Sequence, residues 1–235
     1  MVYYYAMMDP LYLAVVVISL VLMLLAQLLV KGSFSKYSKR INMRNITGAE
    51  AALKVLEYHG VYNVKIQPVS GNLTDHYDPR SNVIRLSESV YSSNSIAAVG
   101  IAAHEAGHAV QHAKNYVPVK VRTAIIPFAN YGPTVGILLM IIGAFLNAFN
   151  LVVIGLALFG ATFLFQLVTL PVEFNASRRA VQTISEMQLL EDAELRGAKM
   201  VLTAAALTYV ASMIQSLLTL LYYALRFLGG TSRRR

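Results

Sequence analysis

SIAAVGIAAHEAGHAVQHAK, running from Ser95 to Lys114, decides how this chain is read. At its centre His104-Glu105-Ala106-Gly107-His108 forms H-E-x-x-H. On a helix, residues four apart lie on one face, so two imidazoles at this spacing reach a single Zn²⁺. The Glu after the first His then faces a water at the open coordination position and can take its proton. A random chain of this composition would show the pattern roughly 0.004 times, so chance is a poor explanation and the helical context becomes the test. Ser93-Asn94-Ser95 offers N-cap residues, Ala dominates the run after them, and no Pro intervenes before Pro118. These features predict a helix over 95–114. His112 sits one turn further along the same face. On a straight helix it lies about 12 Å from His104, too far to share a small ion with both other imidazoles. It reads as a solvated His or a hydrogen-bonding neighbour of the site. The longer metzincin pattern needs Gly at 111 and His at 114, where this chain has Gln111 and Lys114. That class is excluded, and a third ligand must come from elsewhere.

Outside this stretch the chain has a membrane-protein composition. It is 56% hydrophobic and 14% charged over 235 residues, with a mean hydropathy of +0.53. The expected fold class is a mainly α membrane protein with a small α+β zinc-peptidase-like cytosolic portion and three to four transmembrane helices. There is no cysteine, so a zinc ion would rest on His and carboxylate ligands. Four stretches approach the ~20 apolar residues that cross a bilayer: 11–30, 132–148, 151–170 and about 204–228. The last is expected either to cross the membrane or to associate with it. The first has no basic leader and no small-residue cleavage site, so it reads as a span and not a signal peptide.

Orientation comes from Lys and Arg. None precedes the first span, whereas Lys31, Lys36, Lys39, Arg40 and Arg44 come after it. Lys114, Lys120 and Arg122 precede the second span, and Arg178 and Arg179 come after the third. This places 31–124 and 171–200 in the cytoplasm. Only the Arg233-Arg234-Arg235 tail runs against the pattern if the fourth stretch crosses. The net charge of +8 is thus accounted for by anchoring beside apolar runs, and nucleic acid is not an expected partner. The expected whole is one membrane-embedded domain over 1–235.

Within 31–124, Thr47 with Glu50 three residues on is a capping box, and a short amphipathic helix is expected from 49 to 58, ending at Gly60. Residues 64–69 read as a strand. Asp78–Asn82 is dense in turn formers with β-formers on both sides, which predicts a hairpin. Such an edge beside the H-E-x-x-H helix can hold a peptide by strand addition. His76 and Tyr77 on it are candidate transition-state donors; for His76, solvation near the turn is the plainer reading.

For the third ligand, Glu173 stands out. It comes just after the third apolar stretch, where a carboxylate is costly unless paired or coordinating. Glu186, Glu191, Asp192 and Glu194 lie in a polar stretch that reads as a solvated helix face. The expected set is His104, His108 and Glu173, with water in the fourth position, the open coordination of a catalytic site.

Three long segments carry a resemblance: HEAGHAVQHA at 104–113, GNLTDHYDPRSNVIRLSESVYSSNSIAA at 71–98, and FQLVTLPVEFNASRRA at 165–180. The chain resembles the YugP-like family of bacterial membrane zinc metallopeptidases, from the first span to about 204–211. The resemblance implies a membrane-embedded zinc peptidase with the two His and the Glu of PVEFNAS as ligands. It also suggests kinship with HtpX/Ste24-type membrane gluzincins, in which the later Glu opens E-x-x-x-D. Here Ser177 stands at the Asp position. Asp there would orient a ligand His through its ring N–H; Ser accepts a hydrogen bond without charge, and Asp75 or Asp78 are the substitutes to consider.

The functional expectation is a zinc-dependent endopeptidase of the cell membrane, facing the cytoplasm, with Glu105 as general base and Zn²⁺ as cofactor. Arg178, Arg179, His76 and Tyr77 are auxiliary oxyanion donors, with membrane anchoring the plainer reading for the two Arg. Its expected partners are the lipid bilayer and a protein or peptide substrate, membrane-tethered proteins among them. Oligomeric state leaves no sequence signal. The alternatives are a non-hydrolytic zinc-binding scaffold or adaptor, disfavoured by the intact Glu105, and an intramembrane protease, disfavoured by the weakly apolar 96–103 run. Zinc transport is disfavoured because spans two to four carry almost no ionisable groups.

Overall fold

The computed structural model describes residues 9–228; the Arg233-Arg234-Arg235 tail lies outside them. In chain order the elements are α1 (Pro10–Tyr37), α2 (Gly48–Tyr58), β1 (Lys65–Val69), β2 (His76–Asp78), β3 (Val83–Ser87), α3 (Glu88–Tyr91), α4 (Ile96–Ala113), α5 (Val117–Phe145), α6 (Phe149–Glu186) and α7 (Asp192–Leu228). The protein is mainly α-helical, and α1, α5, α6 and α7 are long and apolar enough to cross a membrane. These helices outrun the apolar stretches that mark them. Backbone hydrogen bonding continues past the point where side chains turn polar, so α6 runs on from 170 to Glu186 and α7 begins at Asp192. The chain divides into two compact units.

The first unit comprises Ala26–Val119 and Pro171–Leu207. Its core is built largely from small side chains. Ala97, Ala98, Ala102, Ala103 and Ala106 of α4 are fully buried, with Ala51, Ala52 and Val55 of α2, Ile84 and Leu86 of β3, Ala180 and Ile184 of α6, and Ala198 of α7. The Thr47 capping box starts α2, and Gly60, at φ +71°, turns the chain after it. The sheet order is β1-β3-β2, with β1 parallel to β3 and β2 antiparallel to it. β3 is central and buried on both faces, which suits its Val-Ile-Arg-Leu composition. The β2–β3 hairpin closes through Asn82 at φ +55°, a conformation Asn tolerates. Asp78 braces the hairpin by accepting from Ser81 Oγ at 2.6 Å and Arg85 at 2.9 Å. Those bonds hold its carboxyl well below the usual carboxylate range.

One expectation fails in this unit. Glu194 is not on a solvated face. It is buried, and its carboxylate accepts from the backbone N–H of Met43 at 2.8 Å and of Glu191 at 3.0 Å. The second bond caps the first turn of α7. The first ties down the loop after α1, which is why a charge is tolerated there.

The second unit comprises the described residues of 9–25, 120–170 and 208–228. It is helical throughout. Residues 120–145 and 149–170 pack through glycine: a Cβ on Gly132 would fall 2.4 Å from the Leu158 carbonyl oxygen, and one on Gly136 2.5 Å from that of Gly155. Pro127 and Pro133 lie inside α5, as membrane helices permit where neighbours satisfy the freed carbonyls.

Candidate metal centre

The side chain of Ser95 accepts from the Ala98 N–H at 3.2 Å and begins α4, which carries His104, Glu105 and His108. Glu173 comes from α6 and is 2% exposed. What brings the two helices together is Gly107, between the two His. A Cβ there would lie 2.7 Å from the carbonyl oxygen of Ala176, so only glycine lets α6 approach closely enough to present Glu173 and Ser177.

Three ligand atoms converge. His108 Nε2 is 3.1 Å from His104 Nε2. Glu173 Oε2 is 3.3 Å from His104 Nε2 and 3.4 Å from His108 Nε2. Zinc bonds of about 2.0–2.2 Å in tetrahedral geometry put neighbouring ligand atoms about 3.3 Å apart. The observed triangle has the dimensions of one face of that tetrahedron. Among the described residues this is the cluster of His and carboxylate side chains able to hold a metal ion.

The chemistry of the donor set agrees. Both far nitrogens are engaged: His104 Nδ1 meets Ser177 Oγ at 3.0 Å, and His108 Nδ1 meets Gln111 Oε1 at 3.1 Å. With Nδ1–H donating in each ring, both Nε2 atoms of the neutral imidazoles direct lone pairs at the carboxylate oxygen and at each other. Such an arrangement calls for a cation at its centre. The His108 pKa carries the same message. Burial of the ring opposes its charged form, but the Glu173 hydrogen bond, the charges of Glu105 and Glu173, and Gln111 outweigh burial and raise it above the ordinary imidazole value. A place that draws a proton also draws a metal ion.

The other candidates are outside this triangle of ligand atoms, and most have partners of their own. Glu105 is half-buried on α4, close enough for its charge to act on His108. Ser177 takes the place beside His104 Nδ1. Neither proposed substitute does so: Asp75 accepts from Ser87 N and Oγ, and Asp78 is held by the hairpin. Tyr77 donates its hydroxyl to Asn82 Oδ1 at 2.7 Å and lies 3.3 Å from His112 Nδ1. Burial, then the Asp78 charge, raises its pKa, so it stays protonated at neutral pH. His76 is exposed, with Nδ1 donating to the Thr74 carbonyl at 2.7 Å. Arg178 is exposed. Arg179 is half-buried, its Nε donating to Asn175 Oδ1 at 2.8 Å. Sequence reasoning missed Gln111, Asn175 and Gly107. Gln111 did leave a signal: a long amide inside a run of Ala and Val.

The family described as "Putative neutral zinc metallopeptidase" matches residues 12–228. The chain belongs to this family. It is 47% identical over 205 residues to the "Putative membrane protease YugP" of Bacillus subtilis (strain 168), covering 87% of this chain and 91% of that one. No solved structure matches. Membership supports a zinc peptidase kind of protein, and with four apolar helices it is a multi-pass membrane protein. Zinc is the metal that the family description names, and the His104, His108 and Glu173 triangle fits it.

Proposed function

We propose that the protein is a zinc-dependent endopeptidase, with His104, His108 and Glu173 as metal ligands and Glu105 as general base. The triangle of ligand atoms, 3.1 to 3.4 Å on a side, is the observation that carries this reading. A zinc ion held by these three ligands would keep a position for water or substrate. When bound there, zinc supplies Lewis acidity, favouring deprotonation of water at neutral pH and polarising a carbonyl. Glu105 receives the proton as water oxygen bonds to the peptide carbonyl carbon, then delivers it to the amine as the C–N bond breaks. β2, an edge strand packed beside α4, is where an extended substrate segment would add. The Lys and Arg distribution supports a site facing the cytoplasm, which suits protein or peptide substrates at the membrane surface.

The test uses detergent-solubilised protein, with zinc by elemental analysis and cleavage products by mass spectrometry on a peptide library. Glu105→Gln keeps its zinc and loses about 10²–10⁴-fold in hydrolysis; wild-type cleavage by this variant would remove Glu105 as base. Glu173→Ala loses more than the ~100-fold in zinc affinity typical of outer partners, and unchanged metal content would remove Glu173 as ligand. Zinc binding with no cleavage of any peptide by the wild type would favour a scaffold.

A further inference from the structure

The two ligand imidazoles are held differently, and the difference points to a group of residues that neither bind the metal nor move a proton. His104 rests on a single hydroxyl, Ser177. His108 rests on Gln111, which is fully buried and fully bonded. Gln111 Nε2 donates to the Val172 carbonyl at 2.7 Å and to Asn175 Oδ1 at 3.1 Å. Asn175 Oδ1 also accepts from Arg179 Nε at 2.8 Å. Every orientation in this chain of contacts is forced. A carbonyl only accepts, so Gln111 turns its nitrogen to Val172; a guanidinium only donates, so Asn175 turns its oxygen to Arg179. Gln111 Oε1 therefore faces His108 Nδ1, which must carry a hydrogen, so that whenever the ring is neutral its lone pair is at Nε2.

Gln111 also grips α6 at residues 172 and 175, one on each side of Glu173. One side chain thereby sets the tautomer of one expected ligand and the placement of another. We propose that Gln111, Asn175 and Arg179 are positioning residues for the metal centre: they hold His108 Nε2 and the Glu173 carboxylate in register across two helices. The inference rests on the zinc-site reading of His104, His108 and Glu173. In it, Arg179 acts through Asn175 and Gln111 and not as a direct oxyanion donor. Both ligand rings then have uncharged partners, so Glu173 supplies the only negative charge within the ligand triangle.

The experiment uses the full-length protein in detergent. Zn²⁺ affinity is measured by competition with a chromophoric chelator, and geometry by the visible absorption of the Co²⁺-loaded protein. Gln111→Met keeps length and removes every polar contact; it should weaken Zn²⁺ about 10- to 100-fold and alter the Co²⁺ spectrum. Asn175→Leu should do the same. Asn175→Asp keeps the acceptor for both Gln111 and Arg179, so it should stay within about threefold of wild type with an unchanged spectrum. Wild-type affinity and spectrum in Gln111→Met, or equal losses in Asn175→Leu and Asn175→Asp, would overturn the proposal. If Gln111→Met fails to fold, the Asn175 pair decides alone. A wild type that binds no Zn²⁺ would instead overturn the zinc-site reading itself.

Discussion

The two units of this protein bury apolar side chains on opposite terms. In the unit holding the candidate metal centre, α4 is packed on most sides: its alanines from Ala97 to Ala109 are buried, and even Gln111 is sealed and paired. In the other unit the large side chains point outward. Leu20 is 64% exposed, Leu138 56% and Leu225 64%. The contrast is one of solvent. Around the first unit water drives apolar groups inward. Around the second, lipid is as apolar as leucine, so burial brings little, and the helices associate through close backbone approach at glycine.

The same substitution in the two units should show the largest difference. Leu56→Ala, at a site 1% exposed in α2, is expected to cost about 2–5 kcal/mol of stability. Leu20→Ala faces lipid and should stay within about 0.5 kcal/mol. Unfolding in mixed detergent and SDS measures both; equal losses would erase the distinction between the units.

Glycine provides the next comparison. Gly107→Val drives a side chain into the Ala176 backbone, at an expected cost of about 1–3 kcal/mol, and zinc binding should fall with it because α6 is pushed from α4. Gly136→Val meets the Gly155 carbonyl and should cost a similar amount while the folded fraction keeps its zinc. Retention of full zinc affinity by Gly107→Val would mean that close helix approach is not what assembles the ligands.

The smallest expected effect is pH-dependent. In the metal-free protein the His108 pKa is raised. Its charged form therefore stabilises the fold below an ordinary imidazole pKa, and that contribution is lost as pH rises through the raised value. Zinc needs the neutral ring, so the thermal shift produced by saturating zinc should grow as pH rises through that window, by at most about 1.4 kcal/mol per pH unit for one displaced proton. A zinc-induced shift independent of pH there would argue against His108 as a ligand. The metal-free protein of a His108→Ala variant should lose the acid-side stabilisation.

Much of this was legible because local rules act within one turn of chain. The 104–108 spacing, the Ser95 and Thr47 caps and the Asp78–Asn82 turn all concern neighbours a few residues apart, and hydropathy marks spans without any tertiary knowledge. Glu173 was singled out by its position at the end of an apolar run, where an unpaired carboxylate is costly. Glu194 was misjudged by the same logic: nothing in a polar stretch tells that the Met43 N–H, 151 residues away in sequence, will be waiting for it. Gln111 likewise looked like the residue that merely excluded one peptidase class.

From the sequence alone came the ligand types, the helix that spaces two of them, and the apolar segments, since each depends on composition or on a periodicity of a few residues. Tertiary structure decided that Gly107 meets Ala176, that Ser177 and Gln111 claim opposite imidazoles, and that three acceptor atoms close to the edge length of a zinc tetrahedron. Those outcomes depend on how two helices remote in the chain approach each other, and a shift of about 1 Å in that approach separates a metal site from two histidines and a buried acid.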